Sequence, residues 1–316
     1  MNPELNVIIL AAGLGTRMRS KKAKVLHQAG GDTLLNQIIR AALQVAPAEH
    51  IVAVVGHQAG EVRRSVHVPG IRFAEQAEQK GTGHAVLCAR DAIEYRDGGR
   101  LLILNGDGPL LRAQTLRALL NYRRDQASGR SIITTKLNDP TGYGRIVRNE
   151  NGLVEAIVEQ KAASGEQLEI KEINPGLYCF DAELFWRHAG EITADNPAKE
   201  YYLTDMVGIL TRHGHGIAPL LVADETELLG INTRVELALA DKILRSRKAH
   251  ELMLQGVTIE NPESVTIDVD VEIGADSVLE ANVQLRGRTS IGSGCRIGAG
   301  SYLRDCAVGD NVQIFP

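Results

Sequence analysis

The chain has 316 residues, of which 44% are hydrophobic and 23% charged, a globular composition with room for about two domains. Its formal net charge of −4 argues against a general nucleic-acid-binding surface, so we expect no nucleic-acid partner. The start of the chain lacks the features of a signal peptide and no apolar run is long enough to cross a bilayer, so we expect a cytoplasmic protein without membrane insertion.

Strand and helix signals alternate over the first two thirds of the chain. Short apolar runs that end in turn residues predict strands, and helix-like stretches lie between and after them: Asn6–Leu10, Thr33–Val45, Ile51–Val55, Arg100–Leu104 and Ala113–Arg124. This alternation predicts a Rossmann-like, mostly parallel sheet with helices on both faces. Ligands of such sheets bind outside the carboxyl ends of the strands.

The loop after the first predicted strand carries two glycines, an arginine and a lysine. Gly13 and Gly15 allow a close backbone approach and turn N–H groups toward an anion. Arg17 and Lys24 add positive charge for phosphate oxygens. The loop does not contain the Walker A pattern. It does not match G-x-G-x-x-G either, since Met18 occupies the position of the third glycine. The glycines alone are as compatible with a plain strand-to-helix turn, but the combination favours a phosphate cradle.

Asn105, Gly106 and Asp107 follow the third predicted strand. A carboxylate at this position is suited to hold Mg²⁺ on a bound nucleotide, and it is equally suited to cap the following helix. Five further segments are rich in polar residues, and each of them, taken alone, is typical of a solvated loop. They are 75–84, 139–145, 159–161, 172–174 and 200–205.

A long helix is predicted at Thr233–Gln255, where Gly256 is a natural stop. Its apolar face is predicted from a 3.6-residue spacing of Val235, Leu239, Ile243 and Leu254. We interpret this helix as a connector between domains.

After the helix, Ile or Leu recurs every six residues at 267, 273, 279, 285, 291, 297 and 303, and the series resumes at Ile314 after a one-residue shortening near Val308. The period predicts a hexapeptide-repeat parallel β-helix in which these side chains point inward. An edge-strand meander is the alternative, but it requires no strict period of six. Because the repeat covers fewer than three coils and ends without a polar cap, we expect a truncated chain.

The four cysteines, Cys88, Cys179, Cys295 and Cys306, form no C-x-x-C pair. His84 and Cys88 could share a helix face, but no second ligand pair accompanies them, which argues against a metal site. We expect reduced, scattered thiols.

The chain resembles the family of bacterial bifunctional N-acetylglucosamine-1-phosphate uridyltransferases/glucosamine-1-phosphate acetyltransferases. The resemblance rests on motifs in a fixed order: L-A-A-G-x-G-T-R-M, K-V-L-H, Q-A-E-Q-x-G-T-G-H-A, G-D-x-P-L, D-P-T-G-Y-G-R-I, I-V-E-x-K, E-I-N-x-G, E-Y-Y-L-T-D, G-I-N-T-R and the hexapeptide tail. It implies a uridyltransferase domain at 1–232, a connecting helix at 233–256 and a partial left-handed β-helix at 257–316.

The resemblance also implies roles for individual residues. Gly13, Gly15, Arg17 and Lys24 would hold the UTP phosphates, with Arg17 and Lys24 catalytic. The uracil-reading segment would be Gln76, Gln79, Gly81 and Thr82, and Leu10, Ala12, Asn105, Gly106 and Asn232 would also touch substrate. Asp107 and Asn232 would be the Mg²⁺ ligands, and Gly144, Glu159, Asn174 and Thr204 would surround N-acetylglucosamine-1-phosphate.

The implied reaction makes UDP-N-acetylglucosamine, a cell-wall precursor, from UTP and N-acetylglucosamine-1-phosphate with Mg²⁺, in a homotrimer assembled through the β-helix. The family's acetyltransferase site lies in later coils, so we expect this chain to lack that activity. Two alternatives stay open: another sugar-1-phosphate nucleotidyltransferase, and a non-catalytic regulatory or nucleotide-binding subunit of the same fold.

The sequence departs from the family pattern at four positions that bear on rate and affinity. Ala23 stands in place of a usual proline before K-V-L, and Asn105 and Gly108 replace a usual Tyr and Val. Pro175 replaces a usual Thr or Ser, and it is expected to hold Asn174 in an extended conformation.

Overall fold

The computed structural model describes residues 5–93, 98–125 and 130–315, which fold into two compact units. The first unit comprises the described residues of Met1–Leu26 and Leu34–Gly230, and the second those of His27–Thr33 and Ile231–Pro316. The three-part division at residues 232 and 256 stays a prediction.

The strands up to residue 221 are, in chain order, β1 (Leu5–Ala11), β2 (Gln28–Ala29), β3 (Asp32–Thr33), β4 (Ile51–Val55), β5 (Arg72–Glu75), β6 (Arg100–Asn105), β7 (Ser131–Lys136), β8 (Gly144–Arg148), β9 (Val154–Val158), β10 (Glu172–Asn174), β11 (Tyr178–Asp181) and β12 (Ala218–Leu221). The α-helices are α1 (Leu34–Ala42), α2 (Ala59–Ser65), α3 (Thr82–Cys88), α4 (Ala113–Asp125), α5 (Gly165–Leu168), α6 (Ala182–His188), α7 (Asp205–Arg212) and α8 (Arg234–Leu254). Short 3-10 helices occupy Thr16–Met18, Lys24–Leu26, Ala48–His50, Arg90–Ala92, Ala189–Glu191 and Glu225–Leu228.

The first unit is built on a ten-stranded mixed sheet in the order β5-β4-β1-β6-β11-β7-β10-β8-β9, with β12 beside β7. Strands β5, β4, β1 and β6 are parallel, whereas β11 is antiparallel to both β6 and β7. The predicted α/β class is confirmed. The strands predicted at Asn6–Leu10, Ile51–Val55 and Arg100–Leu104 correspond to β1, β4 and β6. These three strands lie side by side in the parallel half of the sheet.

Strands β1, β4 and β6 of this sheet are buried on both faces, which explains why they are continuous apolar runs. Along β1, Ile8 belongs to one hydrophobic cluster, and Val7 and Ile9 belong to the other. Helices α3, α6 and α7 contribute to the first cluster, and α1, α2 and α4 to the second. Alternate side chains therefore serve opposite layers of the core.

The second unit contains α8, whose predicted ends are confirmed by its caps. Thr233 accepts from the N–H of Glu236 at 3.2 Å, and Glu236 Oε2 accepts from the N–H of Thr233 at 2.7 Å, a reciprocal capping box. Gly256 follows the helix with a φ of +96°, a conformation that favours glycine at a helix C-terminus.

The predicted apolar face of α8 is wrong. Val235 and Leu254 are 80% and 77% exposed, and the buried helix residues are Ala240, Leu244, Ala249 and Leu252. Ala249 and Leu252 pack into the core of the following β-strands. The helix carries more than one apolar stripe, and periodicity cannot show which of them meets that core.

Ten short strands follow α8: β13 (Thr258–Ile259), β14 (Thr266–Ile267), β15 (Glu272–Ile273), β16 (Val278–Leu279), β17 (Gln284–Arg286), β18 (Ser290–Ile291), β19 (Arg296–Ile297), β20 (Tyr302–Arg304), β21 (Ala307–Val308) and β22 (Gln313–Ile314). They form three parallel ladders, β13-β16-β19-β22, β14-β17-β20 and β15-β18-β21. The repeating aliphatic side chains from Ile267 to Ile297 are buried between the ladders, as the period of six predicts. Among the described residues, no helix is both long and apolar enough for a membrane span.

Candidate active site

A cavity of about 250 Å³ opens at the carboxyl ends of β1 and β6, and we call it the strand-end cavity. Its lining consists of Leu10, Ala11, Ala12, Gly13, Lys24, Val25, Gln76, Gln79, Gly81, Thr82, Ala85, Asn105, Asp107 and Glu200. Ten of the predicted site residues are thereby brought together from four separate segments of the chain. Ala11, Val25, Ala85 and Glu200 were not predicted as site residues, although Glu200 opens the polar segment 200–205.

An ion pair between Lys24 and Asp107 lies on the wall of the strand-end cavity. The two side chains are only 15% and 20% exposed, so their charges are partly shielded from water. Gly15 has a φ of +63°, and a Cβ added there would lie 2.5 Å from the Cβ of Lys24. The glycine therefore lets the lysine side chain pass the loop toward the carboxylate.

Gly106 brings the Asp107 turn close to β1. Its N–H donates to the carbonyl of Leu10 at 2.9 Å, and an added Cβ would lie 2.9 Å from the same oxygen. A side chain at this position would displace the turn from β1, and with it the carboxylate of Asp107.

The segment from Gln76 to Thr82 is held by its own hydrogen bonds. The buried Gln76 donates through Nε2 to the carbonyl of Gly81 at 2.9 Å, and Gln79 Nε2 donates to the carbonyl of Gln76 at 3.3 Å. Thr82 Oγ1 accepts from the N–H of Leu203 at 3.0 Å. These bonds fix the wall of the strand-end cavity on the side of α3.

Gly144, Glu159, Asn174 and Thr204 also come together, and we call them the Glu159 cluster. Glu159 Oε1 accepts from the Thr204 hydroxyl at 3.2 Å, and Asn174 pairs with Gly144 across β10 and β8. A Cβ added at Gly144 would lie 3.7 Å from Glu159 Oε1 and 3.8 Å from Asn174 Cβ. The same Cβ would lie only 2.9 Å from Ile157 Cγ2, so the absence of a side chain lets β8 pack closely beside these groups.

Asn174 is oriented from both ends of its amide. Its Nδ2 donates to the Tyr178 hydroxyl at 2.7 Å, and its Oδ1 accepts from the N–H of Gly176 at 3.0 Å. The Tyr178 hydroxyl is buried, and burial raises its pKa far above the ordinary value, so it stays protonated.

Two hydrogen bonds connect the strand-end cavity with the Glu159 cluster. Asn105 Nδ2 donates to the carbonyl of Pro175 at 3.0 Å, directly after Asn174. The bond from Leu203 to Thr82 likewise joins the cavity wall to the residue before Thr204. The two groups therefore lie in one region of the first unit.

The structure accounts for two of the four departures from the family pattern, Asn105 and Ala23. Asn105 makes the side-chain hydrogen bond just described to the backbone carbonyl of residue 175, and nothing in the structure explains the proline at that position. The N–H of Ala23 donates to Gln58 Oε1 at 2.5 Å, a bond that a proline cannot make. This bond anchors the residue before Lys24. A Cβ at Gly108 would meet nothing closer than 3.9 Å, and nothing in the structure explains that glycine.

Gly15, Gly106, Arg17 and Asn232 are predicted site residues that lie outside both groups, although each of the two glycines shapes the approach of a lining residue. Arg17 is exposed on the 3-10 turn Thr16–Met18, outside the lining of the strand-end cavity. Asn232 belongs to the second unit, where its N–H donates to Glu236 Oε2 at 2.6 Å.

Burial raises the pKa of Glu159 above its ordinary value, Thr204 opposes the shift, and the charges of Asp205 and Glu200 add to it. Burial likewise raises the pKa of Asp205, against the pull of Arg212. Ionisation of Glu159 and of Asp205 is therefore less favourable than in water.

Replacing Glu159 with glutamine is expected to stabilise the protein at pH 7. Because the folded-state pKa of Glu159 is raised, the ionised carboxylate costs stability above that pKa, and the cost vanishes as pH falls below the unfolded-state value. The Tm of Glu159→Gln should exceed that of the parent by a few degrees at pH 7, since each kcal/mol of added unfolding free energy raises the Tm of a domain of this size by about 2–4 °C.

The Tm difference should shrink toward zero near pH 4. Glu155→Gln, at an exposed position of β9, the strand that ends directly before Glu159, is the matched control and should shift Tm little at either pH. A Glu159→Gln protein that is less stable than the parent at pH 7 would contradict the assignment of a desolvated carboxylate.

Two known families match the chain: the MobA-like NTP transferase domain over residues 7–169 and the bacterial transferase hexapeptide (six repeats) over residues 270–305. The bifunctional protein GlmU of Solibacter usitatus is 52% identical over 310 residues, which covers 98% of this chain and 66% of the relative. The GlmU of Koribacter versatilis is 43% identical over 316 residues, covering 99% and 67%. The chain thus spans about two thirds of the length of these curated relatives.

Among solved structures, HddC from Yersinia pseudotuberculosis, complexed with GMP-PN, is similar with a TM-score of 0.54 at 19% identity, over 75% of this chain and 98% of that one. At this level of identity the similarity shows the fold alone.

Proposed function

Because the chain belongs to the MobA-like NTP transferase family and, along nearly its whole length, to the family of bifunctional GlmU proteins, we propose that it is a uridyltransferase. The proposed reaction forms UDP-N-acetylglucosamine and pyrophosphate from UTP and N-acetylglucosamine-1-phosphate. UTP would occupy the strand-end cavity, and the sugar phosphate would bind at the Glu159 cluster.

The observation that carries this proposal is the adjacency of two differently equipped groups. The strand-end cavity offers a lysine, a carboxylate, a glycine loop and directional amide groups, which suit a nucleoside triphosphate. The Glu159 cluster offers a carboxylate, an amide and a hydroxyl, which suit the hydroxyl and amide groups of an amino sugar. The bond from Asn105 to Pro175 holds the two groups in register.

In the proposed mechanism, an oxygen of the sugar phosphate forms a bond to the α-phosphorus of UTP while the bond to the bridging oxygen breaks. The nucleophile is already anionic, so the reaction requires no general base. Its main obstacle is the repulsion between two anions. Lys24 and Arg17 would neutralise this charge and stabilise the additional charge of the transition state.

The walls of the strand-end cavity would position the bound nucleotide before the reaction. The bonds of Gln76 and Gln79 hold the segment that would face the base. Gly13, which has nothing within 4 Å of an added Cβ, leaves the loop open to phosphate oxygens. Holding both reactants in line supplies much of the rate enhancement in such transfers.

The residues of the strand-end cavity fit a magnesium ion. Asp107 is a hard oxygen donor whose carboxylate already attracts a cation, the ammonium of Lys24. Asp107 and, by the family resemblance, Asn232 would hold Mg²⁺. When bound, the ion would supply further charge neutralisation on the triphosphate. The ammonium of Lys24 lies beside Asp107 and would contact a phosphate oxygen of the nucleotide.

For the whole protein we propose a cytoplasmic homotrimer joined through its β-helix, with the family's acetyl-CoA-dependent acetylation of glucosamine-1-phosphate placed in later coils. No residue of this chain is assigned to that second activity. Light scattering on the present chain should show a trimer, and a monomer would contradict the proposed assembly.

The proposed function is tested by pyrophosphate release from UTP, measured with and without N-acetylglucosamine-1-phosphate and Mg²⁺. Release that requires all three components is the expected result. Preferential release with another nucleotide or another sugar phosphate would replace the substrates and keep the reaction class. A folded protein that binds UTP but releases no pyrophosphate with any substrate pair would reject the enzyme in favour of a regulatory subunit.

A further inference from the structure

Three side chains without a role in the proposed reaction, His188, Glu191 and His213, meet in the first unit. Glu191 Oε1 lies 2.6 Å from His188 Nδ1 and 3.1 Å from His213 Nε2. One potential ligand atom of each residue lies within 4.8 Å of the other two. The two imidazole rings lie 4.1 Å apart, centroid to centroid.

Secondary structure holds these three residues in place. His188 is the last residue of α6 and is buried, and Glu191 ends the 3-10 helix that follows. His213 directly follows α7, where its N–H donates to the carbonyl of Ile209 at 3.2 Å. The C-terminus of a helix carries partial negative charge, which favours a cation at this end of α7.

We propose that His188, Glu191 and His213 form a binding site for a divalent transition-metal ion of the zinc class. Zinc prefers imidazole nitrogen and carboxylate oxygen at about 2.0–2.2 Å in tetrahedral geometry, which places ligand atoms roughly 3.3 Å apart. The present separations of 2.6 and 3.1 Å need to widen by well under 1 Å. Glu191 and His213 are both 43% exposed and can adjust by small rotations.

The fourth position of the site is left to water or to His215. The His215 ring centroid lies 6.2 Å from that of His188, and the N–H of His215 donates to the carbonyl of Leu210 at 2.9 Å. Arg187, which precedes His188, is paired with Glu183 at 2.5 Å, so its charge is balanced locally.

The ligand set distinguishes this site from the proposed magnesium site. Two imidazole nitrogens and one carboxylate favour Zn²⁺, Co²⁺ or Ni²⁺, whereas Mg²⁺ prefers oxygen ligands and keeps much of its water. Zinc should therefore bind at His188, Glu191 and His213 even when magnesium is in large excess.

Isothermal titration of the whole chain with ZnCl₂, in buffer that contains excess Mg²⁺ and no nucleotide, tests the proposal directly. We expect one equivalent of Zn²⁺ to bind. Glu191→Gln and His213→Asn should each weaken binding by about tenfold or more. His250→Asn, at an exposed position of α8, is the matched control and should leave binding unchanged.

Thermal unfolding supplies a second readout. Zinc should raise the Tm of the parent chain and of His250→Asn, and at the same zinc concentration it should raise that of Glu191→Gln by less, since the stabilisation depends on the affinity of the folded state for the ligand. Both replaced ligands are partly exposed, so the variants should unfold like the parent without metal.

Three outcomes would overturn the site. The first is the absence of saturable Zn²⁺ binding, and the second is binding that survives both Glu191→Gln and His213→Asn. The third is a thiolate-to-metal charge-transfer band after Co²⁺ addition, which would place the ion at a cysteine such as Cys88, whose Sγ lies 3.8 Å from His84 Nε2.

Discussion

Replacing Arg17 with alanine will lower kcat for pyrophosphate release from UTP and N-acetylglucosamine-1-phosphate by about 10²–10³, the usual cost of removing one group that stabilises transition-state charge. Arg17 lies on an exposed 3-10 turn directly after Gly15, whose φ is +63°. Its planar guanidinium suits two phosphate oxygens at once. The Tm should not change, because the side chain is exposed and the turn is held by its backbone.

Arg19→Ala is the matched control, since Arg19 is exposed on the same loop and carries the same charge. It should keep most of the parent kcat. Arg17→Lys should fall between the parent and Arg17→Ala, because lysine retains the charge and loses the planar fork. A parent-like kcat in Arg17→Ala rejects the catalytic role, and an equal loss in Arg19→Ala would mean that only the charge of the loop matters.

The parts of the fold that the sequence predicted well are those in which one local rule dominates. Strands β1, β4 and β6 are buried on both faces, so continuous apolar runs marked them. In the β-helix each short strand must turn one aliphatic side chain inward, which fixes the period of six. Thr233 and Gly256 marked the ends of α8 because capping depends on a few neighbouring residues.

The antiparallel half of the sheet was not predicted in detail. Strand β11 inserts between β6 and β7, and β10 between β7 and β8, so these pairings skip over intervening segments. Such pairings depend on tertiary packing, and no local pattern encodes them. The buried face of α8 was predicted wrongly for the same reason.

The candidate site was predictable only through the family resemblance. Lys24 and Asp107 form an ion pair across 83 residues, and Thr204 reaches Glu159 across 45. From sequence spacing alone, Asp107 could equally be a metal ligand or the cap of the following helix. Closeness to Lys24 is what the structure adds, and it depends on Gly15 and Gly106, whose missing side chains permit the approach.

The largest stability loss is expected from Gly81→Ala, at the wall of the strand-end cavity. Gly81 has a φ of +106° and a ψ of 173°, a region essentially restricted to glycine. An added Cβ would lie 2.6 Å from the carbonyl oxygen of Tyr201 and 2.9 Å from its nitrogen. The Tyr201 carbonyl accepts from the N–H of Gly83 at 2.7 Å, and the Tyr201 N–H donates to the carbonyl of Lys80 at 2.8 Å.

Backbone strain of about 1–3 kcal/mol and the weakening of two hydrogen bonds at about 1 kcal/mol each give an expected loss of about 3 kcal/mol or more in the free energy of unfolding. Chemical unfolding at 25 °C measures it. Gly152→Ala is the control, since its φ is +75° and an added Cβ would meet nothing within 4 Å. It should cost only about 1–2 kcal/mol.

A loss in Gly81→Ala no larger than that in Gly152→Ala would mean that the Tyr201 segment moves away freely. The contact would then not fix the cavity wall. If the segment is rigid, Gly81→Ala should also raise the KM for UTP, because Thr82 and Gln76 take their positions from the same backbone. Gly152→Ala should leave that KM unchanged, which separates damage to the cavity wall from a general loss of stability.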